Sequence, residues 1–137
     1  MKTKTIKTIF SILCLVLICG MVNAQEIEVE KGDSLDLAMQ DPRLKVIPDY
    51  VFELTNLTFL DVSFNRINTV PKDILKLTKL ETLYLSGNQS MANIPDFLME
   101  MESLKTIYLE GMTAWSKEKK QGIIDRFKAK GITVIVD

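Results

Sequence analysis

Apolar residues recur in one fixed order between Leu57 and Leu109, where two complete copies are followed by the start of a third. Leu57 is repeated by Leu80 after 23 residues, and Leu80 by Leu104 after a further 24. Each copy opens with apolar and polar residues in alternation, which predicts a short strand. After a proline, each complete copy continues with apolar residues at helix-like spacing, which predicts a short helix or irregular turn.

The alternation assigns each strand residue to one of two faces. In the first complete copy, Leu60 and Val62 share one face, which we expect to be buried. If the copies stack in parallel, the residues on the other face form columns across neighbouring strands. The predicted outward residues are Phe59, Thr82 and Thr106; Asp61, Tyr84 and Tyr108; and Ser63, Ser86 and Glu110.

An asparagine stands where each complete copy leaves its strand, at Asn65 and Asn88. An amide side chain both donates and accepts, so it can pair with buried backbone groups of its own turn and of the adjoining one. The third copy has Met112 at this position, so the polar ladder is expected to end there.

The order L-x-x-L-x-L-x-x-N-x-L between Leu57 and Leu109 resembles the leucine-rich repeat family, especially its bacterial members with proline in the return segment. The resemblance implies a short α/β solenoid, with parallel strands on the concave face and a helical or irregular convex side. It also implies binding of other proteins, without naming them.

Residues 25–53 are predicted to form an N-terminal cap and a partial repeat. Ile27 and Val29 alternate with glutamates, which indicates an edge strand. Asp33 or Ser34 is positioned to begin a brief helix that ends near Asp41-Pro42. From Ile47 the second half of the repeat is recognisable, whereas its first half is missing or degenerate.

Residues 54–112 hold the repeats, and residues 113–137 are predicted to form a C-terminal cap of one helix and one strand. Thr113 or Ser116 is expected to cap the helix, and Gly131 to close it. Trp115 is expected to pack into the core under the last repeat. The final strand, with Ile132, Val134 and Val136 turned inward, would cover the edge that the third copy leaves open.

The first 24 residues are predicted to be a secretory signal peptide. A lysine-containing start precedes an apolar run from Ile9 to Val22, and Val22-Asn23-Ala24 offers a cleavage site. An uncleaved membrane anchor is the alternative, disfavoured because the apolar run is shorter than the ~20 residues that a spanning helix needs. Cleavage near Ala24 would leave residues 25–137 as one domain, secreted or retained in the periplasm or cell envelope.

The remaining chemistry argues against catalysis. The chain has no histidine, and both cysteines, Cys14 and Cys19, lie inside the predicted signal peptide. The commonest general base, the usual nucleophile pairs and most zinc sites are therefore excluded, and no cofactor or metal is expected. Catalysis by carboxylates alone is left as a remote alternative. The predicted mature chain has 14 basic and 18 acidic residues, and this balance argues against nucleic acid as the partner.

The predicted function is therefore a non-enzymatic, protein-binding or peptide-binding module that uses the nine outward residues. Tyr84 and Tyr108 lie side by side, as binding residues often do, although strand propensity and mutual packing also explain them. The alternative is a structural or adhesive envelope component that binds glycan or itself. Residues 113–131 carry a local charge of +4, and residues 25–53 carry one of −5. These opposite charges could favour weak self-association, or the charged residues of the cap could simply face solvent, and both interpretations stay open.

Overall fold

Five short parallel strands follow one another along the chain and lie side by side in one sheet, in the order β1 to β5. The computed structural model describes residues 33–137. The predicted signal peptide, and the strand predicted at Ile27 and Val29, lie outside these residues. The strands are β1 (Asp33–Asp36), β2 (Leu57–Asp61), β3 (Thr82–Tyr84), β4 (Thr106–Tyr108) and β5 (Thr133–Ile135).

The inward side chains of the five strands stack into one continuous apolar row. Register pairs Leu35 with Leu60, Leu60 with Leu83, Leu83 with Ile107, and Ile107 with Val134. All five side chains are buried. No single copy has enough apolar surface to enclose itself, so each strand is stabilised by its neighbours. This confirms the short α/β solenoid.

Each return segment on the convex side contains a short 3₁₀-helix directly after a proline. The three 3₁₀-helices are Asp49–Glu53, Lys72–Lys76 and Asp96–Glu100, preceded by Pro48, Pro71 and Pro95. Each proline has an extended backbone, which its ring favours, and its missing N–H would have no helical partner at this position. The prediction of short helices or turns is confirmed.

The brief helix predicted from Asp33 or Ser34 is wrong, because this segment is the strand β1. Leu35 aligns with Leu60 and Asp36 with Asp61, and the Leu37 amide donates to the Asp61 carbonyl oxygen at 2.7 Å. The first half of the first repeat is therefore present. Neighbouring apolar strands outweigh the local capping preference of aspartate and serine, because an inward Leu35 is buried only if its segment is extended.

The C-terminal cap consists of the helix α1 (Lys117–Lys128) and the strand β5. Of the two predicted N-caps the structure uses Ser116, whose hydroxyl accepts from the Lys119 amide at 3.2 Å. Gly131 follows the helix with a φ of +79°. Of the three predicted inward residues of the last strand, Ile132 and Val134 are buried, and Val136 is half-buried against the core.

Among the helices of residues 33–137, none has the length and apolar character needed to cross a bilayer.

Candidate interaction surface

The outer face of the sheet, here called the concave face, presents two rows of side chains across all five strands. One row aligns Ser34, Phe59, Thr82, Thr106 and Thr133. The next row aligns Asp36, Asp61, Tyr84, Tyr108 and Ile135. Six of the nine predicted site residues occupy these rows, and the surface is wider than the three strands that the sequence indicated.

Three rings form a continuous strip at the centre of the concave face. Tyr84 and Tyr108 stack with ring centroids 3.9 Å apart and planes 6° from parallel. Phe59 lies at 5.1 Å from Tyr84, tilted by 43°. Contacts of this kind stabilise by about 0.5–1.5 kcal/mol beyond the area they bury, so the strip is held in place before any partner binds.

The surroundings of Tyr84 favour its neutral phenol. Hydrogen bonding with the Tyr108 hydroxyl, then desolvation, then the charges of Tyr108, Asp61 and Glu110 raise the pKa of Tyr84 to about 12. Tyr84 is thus an uncharged donor and acceptor at any physiological pH. The negative charge of this surface resides on carboxylates that lie beside the rings.

The predicted outward positions of Ser63 and Ser86 are wrong, because both side chains are buried, at 3% and 4% exposure. The regular strands end at Asp61 and Tyr84, two residues earlier than the alternation suggested, and the chain then turns. The Ser86 hydroxyl accepts from the Glu110 amide at 3.1 Å, whereas the Ser63 hydroxyl has no hydrogen-bond partner among the described residues. Only Glu110 of this predicted column is exposed.

The asparagine ladder is confirmed and fixes how adjacent strands leave the sheet. Asn88 Nδ2 donates to the carbonyl oxygens of Val62 and Leu85 at 3.0 and 2.9 Å, and its Oδ1 accepts from the Ile67 amide at 3.0 Å. Asn65 does the same one turn earlier, donating to Leu37 and accepting from Leu44. Each amide thus joins its own coil to the preceding one, and Met112 ends the ladder as predicted.

Sequence reasoning missed Ser34 and Asp36 on the concave face, and Phe64 at its edge. The signal for the first two is Leu35-Asp36-Leu37, which repeats the order of Leu60-Asp61-Val62 25 residues earlier. Phe64 is 48% exposed at a φ of +54°, and its position is taken by a glycine in the next copy.

Trp115 packs as predicted. It is almost fully buried, and its Nε1 donates to the Met91 carbonyl oxygen at 2.9 Å, while the Lys119 ammonium lies 4.6 Å from the ring centroid. Within residues 33–137, no group of acidic, cysteine or histidine side chains is arranged to hold a metal ion. The concave face, which holds six of the nine predicted site residues, is the candidate functional surface.

Comparison with known proteins agrees with this architecture. A family model described as leucine rich repeat matches residues 35–89, and a second with the same description matches residues 79–101. The first match begins at Leu35, within β1.

Individual relatives match over a limited region. The chain is 33% identical to an adenylate cyclase of Neurospora crassa over 47% of its own length and 3% of the relative's. It is 32% identical to a probable disease resistance protein of Arabidopsis thaliana, over 59% of its own length and 9% of the relative's. It is 37% identical to leucine-rich repeat-containing protein 58 of Xenopus tropicalis, over 45% of its own length and 18% of the relative's. The chain spans less than a fifth of the length of each of these relatives. By sheet, ladder and family match, the chain is a leucine-rich repeat protein.

Proposed function

We propose that this protein is an exported, non-enzymatic binding module that holds a protein or peptide partner on its concave face. Leucine-rich repeat domains commonly bind proteins, which supports the kind of partner. The observation that carries the proposal is the strip of Phe59, Tyr84 and Tyr108, whose side chains are half-buried on the concave face of the sheet. The rings are large, rigid and amphipathic, and such side chains supply much of the binding energy at protein interfaces.

Export is supported by the sequence alone. Basic residues, an apolar run and a small-residue cleavage site precede Gln25 in the order that secretory signals share. An exported chain without cysteine depends on its apolar core for stability, and one buried cluster extends from Leu35 to Val134. The destination we propose is the medium or the cell envelope.

Affinity capture tests the function. Residues 25–137 are immobilised and exposed to native envelope extract and to culture medium, in parallel with a Tyr84→Ala/Tyr108→Ala variant. A second variant, Lys72→Ala/Glu102→Ala, changes two exposed residues of the return segments and serves as the matched control. We expect the parent and the control to retain the same partner and the tyrosine variant to lose it. A folded tyrosine variant that retains every ligand of the parent would show that the concave strip is not the binding site.

Export is tested separately by the mass of the chain recovered from its native host. A mature protein that begins at Gln25 supports it, and a full-length chain in the cell interior contradicts it.

A structural or adhesive role through self-association is the second candidate, because the charge of the cap helix favours it. Lys117, Lys128 and Lys130 are exposed and have no ion-pair partner within residues 33–137, whereas the concave face is acidic. Sedimentation at low and high salt tests this role, since a head-to-tail contact between opposite charges weakens as salt screens it. A mass that does not change with salt contradicts it. Binding to a glycan array would instead indicate the glycan form of this role.

A further inference from the structure

Some carboxylates of residues 33–137 have a cationic partner and others do not. On the convex side and the cap, Asp73, Asp96 and Asp137 each pair with a lysine or arginine within 3.0 Å. Asp36, Asp61 and Glu110, at the concave face, have no cationic partner within residues 33–137.

Cations are also absent from the face itself. None of the ten residues in its two strand rows, within residues 33–137, is a lysine or an arginine. At its borders Lys105 pairs with Glu81 at 2.9 Å, and Arg43 donates to the Phe64 carbonyl oxygen. A partner that approaches this face therefore meets carboxylates that no lysine or arginine of the described residues neutralises.

The aromatic strip lies among these carboxylates. Asp61 precedes Tyr84 in the same row, and Glu110 follows Tyr108 by two residues. A planar guanidinium group pairs with a carboxylate through two hydrogen bonds, and its weakly hydrated surface and apolar stem pack well against aromatic rings. An ammonium group gains the charge attraction but fits the planar geometry less well.

We propose that the concave face binds an extended peptide segment that carries arginine, with guanidinium groups paired to Asp61 and Glu110 and arginine stems packed on the tyrosines. This inference rests on the proposed function and names its partner class. The other occupant that charge allows, the basic cap helix of a second copy, is an outcome of the test.

Sheet geometry sets the length of this segment. Adjacent strands lie about 4.8 Å apart, so a row of five strands is about 19 Å long, and an extended chain advances about 3.3 Å per residue. About six residues therefore cross the face. Asp61 and Glu110 come from β2 and the end of β4, two strands apart, or about 10 Å across the sheet. An extended segment in the polyproline II conformation has three residues per turn and advances about 3.1 Å per residue, so arginines three residues apart lie on one side of it and would reach both carboxylates.

Titration of the labelled chain with a defined probe, followed by NMR, tests the proposal. The probe is an acetylated and amidated hexapeptide with arginine at its first and fourth positions and glycine or serine at the others. The control peptide has citrulline in place of both arginines, which keeps the planar shape and three of the five N–H donors but removes the charge. We expect the arginine probe to shift the resonances of Asp61, Tyr84, Tyr108 and Glu110 and to bind at least tenfold more tightly than the control peptide.

Two variants locate the contact. Asp61→Asn/Glu110→Gln should weaken binding of the arginine probe at least tenfold. It preserves the oxygen by which Asp61 accepts from the Ser63 amide at 2.8 Å, so the turn should be kept. Asp49→Asn/Glu102→Gln makes the same change of charge on the convex side and should leave binding unchanged. Unperturbed amide resonances outside the site verify that both variants are folded.

The outcomes separate this inference from the proposed function. Equal binding of the arginine and citrulline peptides, or binding that survives Asp61→Asn/Glu110→Gln, overturns the arginine assignment. If a captured partner still depends on Tyr84 and Tyr108 in that case, the proposed function stands and only the partner class is wrong. If the chain instead dimerises at low salt through Lys117, Lys128 and Lys130, and the probe fails to compete, the occupant is a second copy and the peptide proposal fails.

Discussion

At the scale of single residues, one position in each copy has a left-handed backbone, and its occupants differ. Met39, Phe64, Gly87 and Gly111 occupy it in succession, with φ between +52° and +70°. A residue with a Cβ is strained in this region by about 1–2 kcal/mol, whereas glycine is not. The Phe64 ring lies against Gly87, where an added Cβ would come within 2.5 Å of it. Gly87 therefore permits both the turn and the packing of Phe64.

This arrangement predicts different effects for the same substitution at two glycines. Gly111→Ala should cost only the conformational strain, about 1–2 kcal/mol, because its Cβ meets nothing closer than 3.7 Å. Gly87→Ala should cost more, by about 1–3 kcal/mol, because the Phe64 ring must also move. Urea denaturation measures both free energies of unfolding. In a Phe64→Ala background the excess at Gly87 should disappear, and an excess that persists there contradicts the role assigned to the ring.

The ladder predicts a second effect at residue scale. Asn88→Ala would leave the Leu85 carbonyl oxygen and the Ile67 amide without the partner they now have, in a fully buried site. The Val62 carbonyl oxygen would lose one of its two donors and keep Asn65 Nδ2 at 3.0 Å. A loss of about 1–3 kcal/mol in the free energy of unfolding is expected. Asn68→Ala, at an exposed asparagine of the preceding coil, should change it by less than about 0.5 kcal/mol. Similar losses for the two variants would contradict the ladder.

At the scale of elements, the repeated copies could be predicted from sequence because register carries over from one strand to the next. Leu60, Leu83 and Ile107 fix one another's inward direction, so the neighbouring Asp61, Tyr84 and Tyr108 must face outward. The strand β1 was missed because its copy has Gln40 at the asparagine position, and polar residues flank Leu35 as helix caps do. Ser63 and Ser86 were misplaced because alternation alone does not indicate where a strand ends.

In the cap helix α1, one substitution is expected to stabilise the protein. Gly122 lies exposed in its interior with no heavy atom within 4 Å of an added Cβ. Gly122→Ala should raise the free energy of unfolding by about 0.4–1 kcal/mol, because alanine loses less backbone freedom on folding. Thermal and urea denaturation measure the gain. Binding at the concave face should not change, and a destabilised variant would indicate a contact that this helix lacks in the structure.

At the scale of the whole molecule, the fold is a stack in which each strand is stabilised by its two neighbours, so its ends are the vulnerable positions. At the C-terminal end, the Leu109 amide, just after β4, donates to the Ile135 carbonyl oxygen of β5 at 2.8 Å. Trp115 and Phe127 add large buried side chains over the last repeat. The cap therefore completes both the backbone pairing and the apolar core that the repeats leave open.

Removal of residues 113–137 should accordingly unfold the chain or drive its association, rather than simply shorten it. The deletion exposes β4 as an unpaired edge and uncovers Ile107 and Leu109. Each large buried side chain contributes about 1.5–3 kcal/mol, and losing several approaches the total stability of a small domain, about 5–15 kcal/mol. Circular dichroism and sedimentation measure the outcome. Deletion of Asp137 alone removes its ion pair with Lys120 and should change the unfolding midpoint far less than removal of the cap. A monomeric truncated chain with an unchanged unfolding midpoint would mean that the repeats are stable without their cap.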